Sequence, residues 1–203
     1  MKLTWHGHSC FTLQAGQERV VLDPYETGSV PGLSPLNLQA DLVLCSHDHR
    51  DHAASHLVSL SGRPVSWEIH TLSTFHDPQQ GILRGPNTIH ILSVEGLRLA
   101  HLGDLGCIPT PDQCQKLKNL DVLLIPVGGY YTIDAQQAQA LIQQLTPRIV
   151  VPMHYRSDSF GYDVIASLDA FLSLRSDLVR YPTNSMELSL STPAQTAILT
   201  YQP

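Results

Sequence analysis

The sequence predicts an α/β (α+β) fold, and three observations carry that expectation. Two runs, Asp41-Leu42-Val43-Leu44-Cys45 and Asp121-Val122-Leu123-Leu124-Ile125-Pro126-Val127, are nearly all apolar, as strands covered on both faces are. Ile149 to Met153 repeats the theme, and between it and the second run Ala138, Leu141, Ile142 and Leu145 recur at helical spacing. Short alternating runs at both ends of the chain add further β-structure. At 203 residues the chain fits one domain, expected over residues 1–203.

The elements follow in order. Residues 2 to 6, 10 to 14 and 18 to 22, separated by Gly7 and by Ala15-Gly16-Gln17, read as a β-meander. Pro24 lacks the donor that a continuing strand needs, so Asp23-Pro24 closes the third run, and a loop rich in Gly and Pro leads to about Gln39. After the strand Asp41 to Cys45, a helix is expected to start near Asp51 and His52 and to continue through Ala53, Ala54 and Leu57. Pro64 to Trp67 and Ile69 to Phe75 read as strands, the second closed by His76-Asp77-Pro78. Thr88 to Val94 and Leu97 to Leu102 flank Glu95-Gly96 as a hairpin that ends in Gly103-Asp104, where the glycine lets the backbone turn sharply. A short helix is expected from Pro111 to Leu117. Asp134 with Gln137 three residues later forms a capping box before a helix of about three turns. A last amphipathic helix is predicted over residues 163 to 174, and strand-like runs at 178 to 181, 186 to 190 and 196 to 201 finish the chain.

Composition narrows the function. A net charge of -6, with only 12 Lys and Arg and those dispersed, argues against a nucleic-acid partner, because neutralising phosphates needs clustered cations. No apolar run approaches the roughly 18 residues of a membrane span, so no membrane partner is expected. The first residues lack the apolar core of a signal peptide, and cytoplasmic residence is the expectation. Cys10, Cys45, Cys107 and Cys114 form no C-x-x-C pair, so they read as buried thiols rather than a zinc ribbon or a disulfide framework. The eleven histidines are the composition's oddity.

Three of them crowd Ser46-His47-Asp48-His49-Arg50-Asp51-His52, directly after an apolar strand, where α/β folds place their chemistry. Imidazole nitrogen and carboxylate oxygen are ligands for Zn²⁺, and the same mixture suits Mn²⁺ or Fe²⁺. His47 and His49, two apart, can converge on one side, while Asp51 and His52 face an adjacent point. One cation would crowd these groups, and two would not. Three other strand ends deliver His76, Asp104 and His154.

The order H-x-H-x-D-H, lone His, Gly-Asp, final His resembles the metallo-β-lactamase superfamily. More narrowly, Trp5-His6-Gly7-His8-Ser9, Leu22-Asp23-Pro24, His101-Leu102-Gly103-Asp104, Tyr131-Thr132-Ile133-Asp134 and Val151-Pro152-Met153-His154-Tyr155 resemble the metal-dependent hydrolases related to ascorbate-6-phosphate lactonase. The likeness covers nearly the whole chain. It implies a four-layer αβ/βα sandwich with the site along one edge, and two Zn²⁺ per chain. It assigns His47, His49 and His76 to the first metal and Asp51, His52 and His154 to the second, with Asp104 bridging and Asp23 supporting the loop from behind. Asp51 and Asp104 are then the catalytic carboxylates. The family often has its third histidine in a Gly-His-Thr context, whereas here it is Phe75-His76-Asp77, so His101 stands as the alternative to His76.

Physically, two cations about 3.5 to 4 Å apart lower the pKa of a shared water, so hydrolysis of a lactone, ester, thioester or phosphoester bond in a small-molecule substrate is the expected reaction. The alternatives are a mononuclear iron oxygenase of the persulfide-dioxygenase kind and a nuclease-type phosphodiesterase. His8, His101, Tyr131 and Thr132 are expected near the pocket or behind it. Arg50, Arg84 and Arg156 are cations that could meet an anionic substrate or be solvated surface residues.

Overall fold

The computed structural model describes residues 1–203. The first strands are β1 (Lys2–Gly7), β2 (Cys10–Ala15), β3 (Glu18–Leu22), β4 (Leu38–Ala40), β5 (Leu42–Leu44) and β6 (Val58–Leu60). After them come β7 (Glu68–Phe75), β8 (Pro86–Val94), β9 (Leu97–His101), helix α1 (Pro111–Lys116), β10 (Val122–Pro126) and helix α2 (Ala135–Leu145). The chain ends with β11 (Ile149–Met153), α3 (Asp169–Leu172), β12 (Leu178–Arg180), β13 (Ser185–Glu187) and β14 (Gln195–Ile198).

Two mixed sheets form the expected sandwich, with sparse helices. One has the order β13-β1-β2-β3-β5, the other β12-β14-β11-β10-β9-β8-β7, and β4 and β6 make a small parallel pair. Leu3, Phe11 and Leu13 of the first sheet share one hydrophobic core with Ile89, Leu99 and Leu123 of the second. Antiparallel pairing of β1 with β2 and of β2 with β3, then parallel pairing of β3 with β5, points β1, β3 and β5 the same way. In the other sheet β7, β9, β10 and β11 likewise run together, because β8 is antiparallel to both its neighbours and β10 is parallel to β9 and β11. Backbone bonds tie the sheets at this edge: Thr88 donates to the Ser46 carbonyl at 2.8 Å and His154 to the His8 carbonyl at 3.3 Å.

Helix α2 follows its sequence signals. The Asp134 side chain accepts from the Gln137 N–H, Gln137 returns the bond, and Ala138, Leu141, Ile142 and Leu145 are buried. Such a cap contributes about 1 kcal/mol. Thr146 in the left-handed region, followed by Pro147, ends the helix.

Several elements differ from the expectation, each because tertiary hydrogen bonds claim the backbone. The helix expected through Ala53 is only a 3-10 turn at Ser55–Leu57, since the Ala54 N–H goes to the Pro24 carbonyl at 2.8 Å. Residues 163 to 168 do not extend α3. Ala166 donates to Gly128 at 2.7 Å and accepts from Arg156 at 3.1 Å, so that stretch bonds to neighbouring loops instead of to itself. Residues 64 to 67 are no strand, because the Ser66 N–H is held by the Glu18 carboxylate at 2.9 Å. The Gly- and Pro-rich loop contains β4. Strand β5 is only half-buried, as it lies at a sheet edge with β3 its one neighbour. Cys10 and Cys114 are buried, whereas Cys45 and Cys107 are half-buried free thiols.

Candidate metal centre

Six strands, three from each sheet, end where the donors gather. His8 follows β1, Asp23 follows β3, His47 to His52 follow β5, His76 follows β7, Asp104 follows β9 and His154 follows β11. Gly103 makes the turn before Asp104 with φ +56°, and a Cβ there would come within 2.4 Å of both Ser46 and Asn87. Only glycine fits at this approach of the two sheets. Asn87 then fixes the turn by accepting from the Asp104 N–H at 2.9 Å. Three residues of the site, His8, Asp23 and His154, hold positive φ of 49°, 45° and 54° without being glycine. Residues of that kind cluster at functional sites.

The donors form two groups that meet at one carboxylate. His47, His49 and His76 bring one nitrogen each within 4.8 Å of one another, and His8, Asp51, His52 and His154 do the same with one ligand atom each. A third such set, His47, His52 and Asp104, lies between them. Asp104 Oδ1 is 3.2 Å from His52 Nε2, and its Oδ2 is 3.3 Å from His76 Nε2 and 3.1 Å from His154 Nε2. The Nε2 atoms of His8, His47, His52 and His154 and the Oδ1 of Asp104 are buried without a hydrogen-bond partner. Buried polar atoms that converge in this way fit one or two divalent cations.

Hydrogen bonds behind the donors select their tautomers. His52 Nδ1 donates to Asp23 Oδ2 at 2.7 Å, and His76 Nδ1 to the Tyr131 carbonyl at 3.1 Å, leaving each Nε2 lone pair for the centre. Ser46 Oγ donates to Asp23 Oδ2 at 2.6 Å and is 2.9 Å from His47 Nδ1. It must accept from that ring, and His47 Nε2 is freed too. Asp23 thereby orients one histidine of each group, His52 directly and His47 through Ser46.

His101 is different. Its Nε2 donates to the Ser9 carbonyl at 2.9 Å and its Nδ1 accepts from the Gly103 N–H at 3.2 Å, so neither nitrogen is free. The structure brings His76, not His101, to His47 and His49.

Electrostatics favour neutral imidazoles at His8 and His47 and ionised carboxylates at Asp23 and Asp104. Burial, with His52 nearby, pushes His47 down to about 3. Burial and His154 push His8 down to about 4. Burial opposes ionisation of Asp104, yet His154 and His52 hold it well below the carboxylate range. Burial likewise opposes the charge on Asp23, which His101, His52 and Ser46 nonetheless hold at about 2. His52 moves the other way, raised despite burial by Asp104 and Asp23.

These shifts set a pH profile for chelator-treated protein. His8 and His47 stay neutral in the fold below the ordinary histidine value of about 6.5, where the unfolded chain takes up protons, so stability falls as pH drops from there towards 4. The stability that His52 adds is complete below about 6.5 and is lost as pH rises through its raised folded value. Thermal denaturation between pH 4 and 9 should therefore peak near about pH 6.5. A midpoint that climbs steadily towards pH 4 would contradict the assignment.

The pocket over the centre, about 250 Å³, is lined by His49, Asp51, His76, Arg84, Asp104, Tyr131, His154 and Tyr162. Tyr131 is thus placed as expected. Thr132 does not line the pocket, being buried with its hydroxyl donating to the Ile133 carbonyl at 3.0 Å. His8 lies beneath the pocket, 1% exposed, with Nε2 3.3 Å from Asp51 Oδ2. Trp5 Nε1 holds the turn that carries it by donating to the His8 carbonyl at 3.0 Å. His90, buried, ties the sheets together through the Cys45 carbonyl, and His70 is exposed beside Glu68. Sequence reasoning missed Tyr162, whose hydroxyl is 3.1 Å from Asp51 Oδ2 and 2.9 Å from the Ser29 carbonyl. Asn87 was missed as well. No spacing signal links either residue to its partner.

Comparison with known proteins agrees with this geometry. Residues 2–154 match the family model described as a β-lactamase superfamily domain. The UPF0173 metal-dependent hydrolase of Thermoplasma acidophilum is 28% identical over 77% of this chain and 84% of its own, and that of Bacillus licheniformis is 27% identical over 76% and 85%. A metallo-β-lactamase superfamily protein from Thermotoga maritima, known from its crystal structure, superimposes with a TM-score of 0.80 at 32% identity, covering 99% of both chains. With its two sheets meeting at a histidine- and aspartate-lined edge, the chain belongs to the metallo-β-lactamase superfamily, beside proteins named metal-dependent hydrolases.

Proposed function

We propose that the chain is a dinuclear, zinc-type hydrolase that cleaves a lactone, ester, thioester or phosphoester bond of a small molecule in the cytoplasm. The observation that carries this reading is the pair of donor groups that share Asp104. His47, His49 and His76 would hold one cation, Asp51, His52 and His154 the other, with Asp104 between them. Two such cations supply Lewis acidity and a water acidic enough to ionise near neutral pH. A complete second group favours this over a single iron. The relatives' names and the description of the Thermotoga maritima protein as a candidate zinc-dependent hydrolase point the same way. The narrower kinship with ascorbate-6-phosphate lactonase rests on the sequence motifs.

The protein's own groups have separate tasks. Asp23, Ser46 and the Tyr131 carbonyl fix the imidazole tautomers. Asp51, with Tyr162 at 3.1 Å, faces the pocket and can take a proton from the nucleophilic water or pass one to the leaving group. No helix is long and apolar enough to cross a membrane.

Elemental analysis of protein purified without added metal should find close to two equivalents of divalent metal. The same sample should hydrolyse at least one member of a lactone, thioester and phosphodiester panel. Absence of stoichiometric metal, or turnover that survives complete chelation, would sink the reading.

A further inference from the structure

The pocket wall holds one permanently charged side chain without a counter-charge. Asp51 is engaged by His8 at 3.3 Å, and Asp104 by His52 and His154 at 3.2 and 3.1 Å. Two of the three arginines marked in the sequence are occupied elsewhere. Arg50 Nε donates to Glu26 Oε2 at 2.6 Å, and Arg156 Nε to the Ile165 carbonyl at 2.9 Å. The guanidinium of Arg84 meets neither a carboxylate nor a carbonyl. It is half-buried in the wall, with Cζ 5.6 Å from the centroid of the Tyr131 ring.

The loop beneath Arg84 is built to hold it there. Asp77 is fully buried and accepts four backbone N–H groups: Gln79 at 2.7 Å and Gly81 at 3.1 Å on Oδ1, Leu83 at 3.0 Å and Arg84 itself at 2.8 Å on Oδ2. Gly85 closes the loop. It accepts from the His76 N–H at 3.1 Å and donates to the Gly81 carbonyl at 2.9 Å. Residues 77 to 85 are therefore wound around one carboxylate and anchored to a donor of the metal centre, which fixes where Arg84 leaves the backbone. A loop backbone held in place in this way loses little freedom on binding.

We infer that Arg84 binds an anionic group, a carboxylate or a phosphate, carried by the substrate beside the bond that is broken. The inference rests on the hydrolase reading above. A guanidinium presents a planar fork that pairs with either oxyanion through two parallel hydrogen bonds. Tyr131, against which the Arg84 guanidinium is placed, supports it and shields one side from water. Arg84 is thus a specificity-determining residue.

The test compares mono-p-nitrophenyl glutarate, which carries a free carboxylate, with neutral p-nitrophenyl butyrate. Arg84→Gln should lower the ratio of the two kcat/KM values about 10- to 100-fold, the range for a lost charge-assisted bond. Arg84→Lys, which keeps the charge and loses the fork, should fall between the two. Calorimetric titration of the protein as isolated with glutarate and with inorganic phosphate gives a second readout that needs no turnover. Its Kd should weaken by a similar factor in Arg84→Gln, and the tighter of the two ligands identifies the oxyanion. A ratio and a Kd that Arg84→Gln leaves unchanged overturn the inference, as does wild-type protein that binds neither anion at millimolar concentration. If neither ester nor any member of the lactone, thioester and phosphodiester panel is hydrolysed but the Kd responds to Arg84, the hydrolase reading fails while the anion site stands.

Discussion

Asp104→Ala should leave protein that retains less than one equivalent of metal and has lost roughly 10³-fold in kcat/KM, since each 1.4 kcal/mol of transition-state stabilisation is worth tenfold and a metal supplies several. The size of the effect follows from position. Asp104 is 1% exposed, and its two oxygens reach His52, His76 and His154, so one carboxylate serves both donor sets. Asp104→Asn keeps the volume and one acceptor oxygen and should lose less metal than Asp104→Ala. Metal content and kcat/KM must fall together. An Asp104→Ala protein with full metal and unchanged turnover would remove the shared carboxylate from the mechanism.

Asp23→Asn should weaken metal binding about 10- to 100-fold without touching any metal itself, the usual effect of losing a group that orients a ligand. Asp23 is completely buried and accepts three hydrogen bonds: the Ser46 N–H at 2.7 Å, the Ser46 hydroxyl at 2.6 Å and His52 Nδ1 at 2.7 Å. An amide offers one acceptor oxygen where the carboxylate offers two, so at least one of these donors is left facing an NH₂ group. Leaving a buried donor unmatched costs about 1 to 3 kcal/mol, which should appear as a lower thermal midpoint in metal-free protein. Because His47 and His52 belong to different donor groups, metal titration of Asp23→Asn should show both sites weakened. Weakening confined to one site would show that the route through Ser46 carries no force.

The fold and most of the centre could be read from the chain because the relevant residues announce themselves locally. His47 to His52 crowd four donors after an apolar strand, and Gly103-Asp104 and His154 end two others. What could not be read depends on contacts remote in sequence. His76 and His101 are equivalent as strand-end histidines until the Ser9 carbonyl and the Gly103 N–H are seen to occupy both nitrogens of His101. Tyr162 meets Asp51 across 111 residues, and Asn87 on β8 meets Asp104 at the end of the neighbouring β9, 17 residues on. The shortfall of the helix predicted over residues 163 to 174, of which only Asp169–Leu172 forms, has the same origin. Its apolar spacing is real, but Gly128 and Arg156 take the hydrogen bonds that a helix would have used.

The left-handed backbone at His8, Asp23 and His154 sets stability against activity. Each such residue costs of order 1 to 3 kcal/mol relative to a relaxed backbone. Glycine or asparagine at position 8 or 154 would release part of that energy and at the same time delete an imidazole from the centre. A search for thermostable variants of this chain scored on melting temperature alone would thus be drawn towards the substitutions that disarm it.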